Sequence, residues 1–146
     1  MRFLLPLLFL APSLAVASED IQILNCQIEG SKNHLILSHN EGDMIYQFGP
    51  KGAPDLMLSE PKDSFKHTPW SGVGRAIWEA AAFENKGYIY EVWMAFDRHD
   101  AIENPDKARS AGVTVYKDGN DLATHHCQQS DLEFFAFSID DAINRN

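Results

Sequence analysis

The stretch from Arg75 to Asp97, RAIWEAAAFENKGYIYEVWMAFD, decides the fold of this chain. Two apolar runs flank Asn85-Lys86-Gly87, and the glycine that ends this segment suits the positive φ of a short hairpin loop. The second run alternates from Tyr88 to Phe96, which is the two-residue period of a half-buried strand. The alanines at positions 80–82 favour helix by propensity, but the turn between the two runs outweighs them. We therefore predict a β-hairpin with a loop of three to four residues.

The register of this hairpin determines which side chains enter the core. A three-residue loop puts Glu84 opposite Tyr88. One face is then free of charge, so we assign it to the core. That face carries Trp78, Ala80, Ala82, Tyr90, Val92, Met94 and Phe96. The other face is mixed, so we expect it to be half exposed, and it carries Ile77, Glu79, Ala81, Phe83, Ile89, Glu91, Trp93 and Ala95.

The first 17 residues, MRFLLPLLFLAPSLAVA, have the pattern of a secretory signal peptide. Arg2 gives the positive start, a short apolar run follows, and Ala15-Val16-Ala17 is a small-residue cleavage site. The run is too short to cross a membrane and contains two prolines. A lipoprotein would need a cysteine directly after the run, and Cys26 comes too late. We expect cleavage after Ala17, export to the periplasm and one mature domain over residues 18–146.

Charge and size limit the kinds of partner. Without the signal peptide the chain keeps 11 basic and 21 acidic residues, a formal charge of −10. Such a surface repels phosphate and anionic lipid, so we expect no nucleic-acid partner, and it would speed encounter with a basic protein. No later stretch is apolar enough to span a membrane, and no motif indicates a cofactor. Many secreted proteins are acidic without a basic partner, which is the simpler interpretation.

The chain has two cysteines, Cys26 and Cys127. An even number in an exported protein predicts a disulfide, and no Cys-x-x-Cys motif favours a redox or metal site. The predicted bridge joins the first strand to the last.

Short apolar segments recur roughly every eight to twelve residues, with turn residues between them. This spacing is typical of an antiparallel sandwich or barrel. The predicted strands outside the hairpin are Ile21–Ile28, His34–His39, Met44–Phe48, Asp55–Leu58, Gly112–Tyr116 and Asp121–His126, with a short edge strand from Phe65. We predict an all-β domain, mainly antiparallel, as a β-sandwich or flattened barrel of about eight strands.

The end of the chain changes period. Ser130 and Glu133 fit a capping box. Leu132, Phe135, Ile139, Ala142 and Ile143 then recur at helical spacing. The pattern predicts a C-terminal helix from about Asp131 to Ile143, packed on the sheet.

Three strand-end motifs lie between the cysteines: Tyr46-Gln47-Phe48-Gly49, Gly87-Tyr88-x-Tyr90-x-Val92 and Gly112-Val113-Thr114-Val115. On these motifs the chain resembles a family of small uncharacterised exported proteins of proteobacteria, although the motifs name no chemistry. It is more distantly similar to periplasmic lysozyme inhibitors, which insert a Ser-Gly loop into the lysozyme cleft. That resemblance implies an inhibitory role for Ser71-Gly72. The chain departs from the pattern of those inhibitors at the aromatic residue that follows a few positions on, because only Trp78 is available to serve as its counterpart.

The segment Thr68–Arg75 is the first candidate binding site. Trp70 and Arg75 are residue types that anchor interfaces, and Ser71 beside Gly72 is suited to donate to a carboxylate in a partner's cleft. The alternative is that Trp70 covers the core and the glycines only turn the chain. Gly72 and Gly74 lack the context of a phosphate-binding loop.

Two further sets of residues are weaker candidates. Glu79 and Glu91 share a face in the predicted register, where two carboxylates would suit glycoside hydrolysis, but a solvated sheet face explains them more simply. His125 and His126 are adjacent, so in a strand they point to opposite faces and cannot share a metal ion. We expect no metal site.

The lead hypothesis is an exported non-enzymatic binding module that inhibits an envelope hydrolase such as lysozyme. Its partner-binding residues are Trp70, Ser71, Gly72, Arg75 and Trp93. The first alternative is an envelope structural or assembly factor that binds through the mixed face of Ile77, Phe83, Ile89 and Trp93. The second is a carbohydrate-active enzyme that uses Glu79 and Glu91.

Overall fold

The computed structural model describes residues 19–144, so the predicted signal peptide lies outside the described part of the chain. The first sheet has four antiparallel strands in the order β1-β2-β3-β4: β1 Ile21–Gln27, β2 Asn33–His39, β3 Asp43–Pro50 and β4 Leu56–Pro61. The second has five in the order β5-β6-β7-β8-β9: β5 Lys66–Thr68, β6 Ala76–Asn85, β7 Tyr88–Asp97, β8 Arg109–Lys117 and β9 Asn120–His126. Two short helices are α1 Asp100–Glu103 and α2 Ser138–Asn144. The all-β prediction is confirmed as a sandwich-like pair of sheets that do not close into a barrel.

The core lies between the two sheets. Tyr46 of β3 joins them, because its ring centroid is 5.5 Å from that of Phe83 and 5.6 Å from that of Tyr90. The buried side chains around it are Leu24, Cys26, Leu35, Leu37 and Met44 from the first sheet and Ala81, Phe83, Val92, Met94, Ala111 and Val113 from the second. Each strand contributes alternate residues, as the two-residue period requires.

The predicted disulfide between Cys26 and Cys127 is confirmed, with 5.6 Å between the two Cα atoms. Backbone hydrogen bonds accompany it on both sides, because the Glu29 N–H donates to the His126 carbonyl (2.9 Å) and the Gln128 N–H to the Gln27 carbonyl (2.8 Å). The bridge therefore links the two sheets at one edge and closes a segment of 101 residues.

The central hairpin forms, but its predicted register was wrong by one residue. The loop has two residues, Lys86 and Gly87, with φ of 52° and 80°, and Asn85 pairs with Tyr88. Positive φ at both positions is typical of the type I′ turn, whose twist matches that of the strands it joins. Because a slip of one residue exchanges the faces of a strand, β6 is reversed relative to the prediction while β7 keeps its predicted core face.

The reversal moves side chains of β6 between the core and the surface. Ala81 and Phe83 are in the core, whereas Trp78 is 41% exposed on the outer face. The predicted mixed face does not exist as one surface. Ile77 and Phe83 of β6 lie on the inner face of the sheet, whereas Ile89 and Trp93 of β7 lie on the outer face.

The C-terminal helix is shorter than predicted, and the capping box at Ser130 does not form. Residues 129–131 make a 3₁₀ turn, Leu132 is extended, and α2 begins only at Ser138. Leu132 and Phe134 are both buried, while Phe135 is 83% exposed, contrary to the predicted stripe. Burial at a spacing of two requires an extended chain, and this overrides the helical pattern.

Candidate functional site

A loop of residues 69–75, here called loop 69–75, connects β5 to β6. The Trp70 indole N–H donates to the Val73 carbonyl (3.2 Å) and closes the loop on itself. Gly72 and Gly74 have φ of 84° and 109°, where a side chain would be strained, although a Cβ at either would meet no atom within 4 Å. The glycines are therefore needed for the backbone conformation of the loop and not for close approach.

Two arginines hold the base of the loop. Arg75 donates from Nε to Asp97 Oδ2 (2.6 Å) and from Nη2 to Asp100 Oδ1 (3.0 Å). Arg98 donates from Nη2 to the Gly74 carbonyl and from Nε to the Arg75 carbonyl (3.3 Å). The hydrogen bond from Arg75 lowers the pKa of the Asp97 carboxyl, with a further contribution from the Asp100 N–H. The loop is thus fixed to the end of β7 and the start of α1.

Trp70 is half-buried and has contacts on two sides. The Arg98 guanidinium carbon is 5.3 Å from the centre of its ring, which is a cation–π distance. The Phe137 ring, just before α2, lies 6.0 Å away. Trp70 therefore packs within the loop and against its neighbours, and it is neither buried in the main core nor a free anchor.

The tip of the loop faces solvent. Ser71, Gly72 and Val73 are all exposed, and the Val73 side chain is 77% exposed. Val73 was not among the residues predicted from sequence, although its place between two glycines was a signal that its side chain would project. Arg75 was predicted as a partner contact, but its guanidinium already has two carboxylate partners within the chain.

Trp93 does not belong to this loop. It lies in the middle of β7 on the outer face of the second sheet, where its ring covers Gly112 and meets His126 edge-on, with 5.5 Å between ring centroids. A Cβ at position 112 would clash with the His125 carbonyl oxygen and would lie 2.7 Å from a Trp93 ring atom, so only glycine leaves room for both. The structure therefore separates Trp93 from Trp70, Ser71 and Gly72.

The structure contradicts the pairing of Glu79 with Glu91. Glu79 is 3% exposed and faces the core, where its carboxylate accepts from the Ile139 N–H (2.9 Å) and the Asp140 N–H (3.1 Å). Glu91 is on the outer face and accepts from the Tyr116 hydroxyl (3.2 Å). The predicted register had placed them together, and the one-residue slip sends them to opposite sides of the sheet. Glu79 holds the start of α2 and does not form a catalytic pair with Glu91.

The histidine pair is arranged as predicted. The partly buried His125 packs on Phe48 on the inner side of the sheet, with 5.4 Å between ring centroids, and His126 packs on Trp93 on the outer side. Across residues 19–144, no three His, Cys, Asp or Glu side chains form a group able to hold a metal ion.

Loop 69–75 is the candidate site because it combines a solvent-exposed tip with a base that Arg75 and Arg98 hold in place. Between Glu19 and Asn144, no helix is long and apolar enough to cross a membrane. No protein family model, no curated protein and no solved structure matches this chain.

Proposed function

We propose that the mature chain is a non-enzymatic binding module that inserts loop 69–75 into a cleft of a partner protein. The observation that carries this proposal is the contrast within the loop. Its base is fixed by Arg75 and Arg98, while its tip presents a hydroxyl, a glycine backbone and an apolar side chain to solvent. A loop that is ordered before binding loses less conformational entropy on binding, which favours affinity.

The chemistry of the tip fits a cleft lined with carboxylates. Ser71 Oγ and the N–H groups of a glycine-rich segment are hydrogen-bond donors, and hydrogen bonds to an ionised carboxylate are about twice as strong as neutral ones. Glycoside hydrolases carry a pair of carboxylic residues in the active cleft. Val73 between the two glycines adds an apolar contact. These features support a hydrolase of the lysozyme type as the partner.

The overall charge supports a basic partner. The mature chain has a formal charge of −10, which raises the rate of encounter with a basic protein and makes that rate depend on salt. The disulfide supports export, since such bonds persist in oxidising compartments such as the periplasm. A basic hydrolase of the cell envelope is the proposed target.

Inhibition of purified lysozymes of several types by the oxidised mature protein tests the proposal. Ser71→Ala and Val73→Ser change the tip without touching its base, and Met57→Ser removes another exposed apolar side chain, on β4, as a control. We expect the double variant that combines Ser71→Ala with Val73→Ser to weaken inhibition at least tenfold. The control should inhibit as well as the parent. Inhibition that is equal in the parent, the tip variants and the control would overturn the proposed role of the loop.

A pull-down from envelope extract at low and moderate salt separates this proposal from the assembly hypothesis. Salt-sensitive capture of a basic hydrolase that is lost with the tip variants supports inhibition. Capture of a structural envelope protein that is lost with Trp93→Ala instead would favour an assembly factor acting through the outer face of the second sheet.

A further inference from the structure

A concave site that shares no residue with loop 69–75 lies at the edge of the first sheet. It is a cleft of about 920 Å³ between the start of β1, the turn from β2 to β3, the end of β4 and the C-terminal segment. Its volume is near the upper end of the range of about 300–1,000 Å³ that is usual for small-molecule sites. The lining residues used below are Ile21, Phe135, Glu19, Glu41, Lys62 and His39.

The walls of the cleft are largely apolar and partly open to solvent. Ile21 is 58% exposed and Phe135 is 83% exposed, so two large apolar side chains face a concave surface without cover from the described chain. Ile23 and Ala142, which also line the cleft, are buried beneath it. An apolar ligand body placed here would remove both exposed side chains from water.

The charged groups of the cleft are mainly acidic. Glu19, Glu41 and Asp141 contribute carboxylates, and Lys62 contributes an ammonium group. Lys62 Nζ lies 3.0 Å from His39 Nδ1, and burial, followed by the charge of Lys62, lowers the pKa of His39. His39 is therefore a neutral acceptor for Lys62 near pH 7, and the lining keeps a negative balance.

The cleft is formed by segments that the fold holds in place. Asn40 Oδ1 accepts from the N–H groups of Gly42 (3.0 Å) and Asp43 (2.9 Å), which fixes the turn that carries Glu41. On the opposite wall, Arg109 Nε donates to the Phe134 carbonyl (3.0 Å), beside Phe135. The site is thus largely preformed, which lowers the entropy cost of binding.

We propose that this cleft binds a small ligand in which an apolar body is joined to a positively charged group. The apolar body packs on Ile21 and Phe135, and the cationic group lies toward the carboxylates of Glu19 and Glu41. The proposal is independent of the function proposed for loop 69–75, because none of the residues that line the cleft belongs to that loop.

Three probes with the same ten-carbon chain test it by calorimetric titration of the oxidised mature protein below their micellar concentrations. They are decyltrimethylammonium, the neutral decyl maltoside and decyl sulfate. We expect the cationic probe to bind about fivefold more tightly than the neutral one, the effect of one exposed ion pair, and decyl sulfate to bind most weakly. Tighter binding of decyl sulfate, or equal binding of all three, would overturn the proposal.

Variants separate a built site from general attraction to an acidic surface. The pair Glu19→Gln and Glu41→Gln should remove the preference for the cationic probe, and Phe135→Ser should weaken all three probes by roughly tenfold. Glu29→Gln and Met57→Ser are matched controls on exposed positions elsewhere. Equal losses in the controls and the cleft variants would show that the binding is adventitious.

Discussion

Loop 69–75 and the C-terminal segment, residues 132–144, both lie outside the sheets, yet different forces hold them. The loop is fixed by exposed polar contacts, in which Arg75 pairs with Asp97 and Asp100. The C-terminal segment is fixed by burial, with Glu79 accepting two backbone N–H groups and with the side chains of Leu132, Phe134, Ile139 and Ala142 in the core. The two segments touch where Trp70 meets Phe137.

The two kinds of contact contribute differently to the conformation of a segment and to the free energy of unfolding. Exposed ion pairs contribute little to the free energy of unfolding because water and salt screen them, but they determine where a loop points. A buried carboxylate that satisfies buried donors contributes more, since its loss leaves those donors without an acceptor. We therefore expect changes at the C-terminal segment to lower stability and changes at the loop to lower binding.

Removal of the disulfide should have the largest effect on stability. In the chain-entropy model a bridge that closes about 100 residues stabilises by roughly 4–5 kcal/mol. Replacement of Cys26 and Cys127 together by Ser should lower the free energy of unfolding in urea by about that amount. The reduced wild-type protein provides the control and should match the double variant. A loss below about 1 kcal/mol in both would contradict a major contribution of the disulfide to the stability of the fold.

Replacement of Glu79 tests the buried anchor directly. Glu79→Ala leaves the N–H groups of Ile139 and Asp140 without this acceptor, at about 1–3 kcal/mol for the buried Ile139 group and less for the partly buried Asp140 group. We expect a lower free energy of unfolding and faster hydrogen exchange at these two amides. Glu79→Gln keeps one acceptor oxygen and should lose less, and Glu91→Ala on the outer face serves as the surface control. Equal stability of all three variants would contradict a role for Glu79 in holding α2.

Arg75→Ala should weaken binding with little effect on stability, which is the opposite of the result expected for Glu79→Ala. The melting temperature should stay near that of the wild type, since the guanidinium is exposed, while binding to the proposed partner should weaken because the base of the loop is released. The control is Lys66→Ala, which removes an exposed ion pair with Glu84 on the neighbouring strands. If Arg75→Ala unfolds at a much lower temperature with its partner affinity intact, the contrast between the two segments is wrong.

Acidification should release the loop with the smallest effect on stability. Because the pKa of Asp97 is lower in the folded state, its contribution is complete above its unfolded value of about 3.9 and is lost as pH falls through the folded value. The Trp70 indole N–H, followed by NMR, should therefore keep its shift at mildly acidic pH and change only below about pH 3.9. Asp97→Asn should abolish that transition, and a transition near neutral pH would contradict this role for Asp97.

The fold class was predictable because it depends on local patterns. Regular turn signals gave the strands, the even cysteine count gave the disulfide, and the alternation of β7 gave its core face. The register of β6 was not predictable, since Asn85 is an equally good loop residue and Lys86 adopts a positive φ that its type does not favour.

The contacts that hold the candidate site could not be predicted because they join residues that are far apart in the sequence. Glu79 looked like a surface acid, since the donors that allow its burial are 60 and 61 positions away. The partners of Arg75 come from the end of β7 and from α1, which lie 22 and 25 positions further along the chain. The glycines of loop 69–75 indicated an exposed turn, but composition alone does not show which side chains hold it.

Site-directed crosslinking tests the central claim most directly, namely that the tip of loop 69–75 enters a partner's cleft. A photoreactive phenylalanine analogue is placed at position 73 of the oxidised protein comprising residues 18–146, and at position 57 as the control. Each protein is irradiated with a purified basic lysozyme, and the crosslinked peptides are mapped. We predict that position 73 crosslinks to residues lining the active cleft and that position 57 gives no product. Crosslinks from position 57 alone, or none from position 73, would contradict the account.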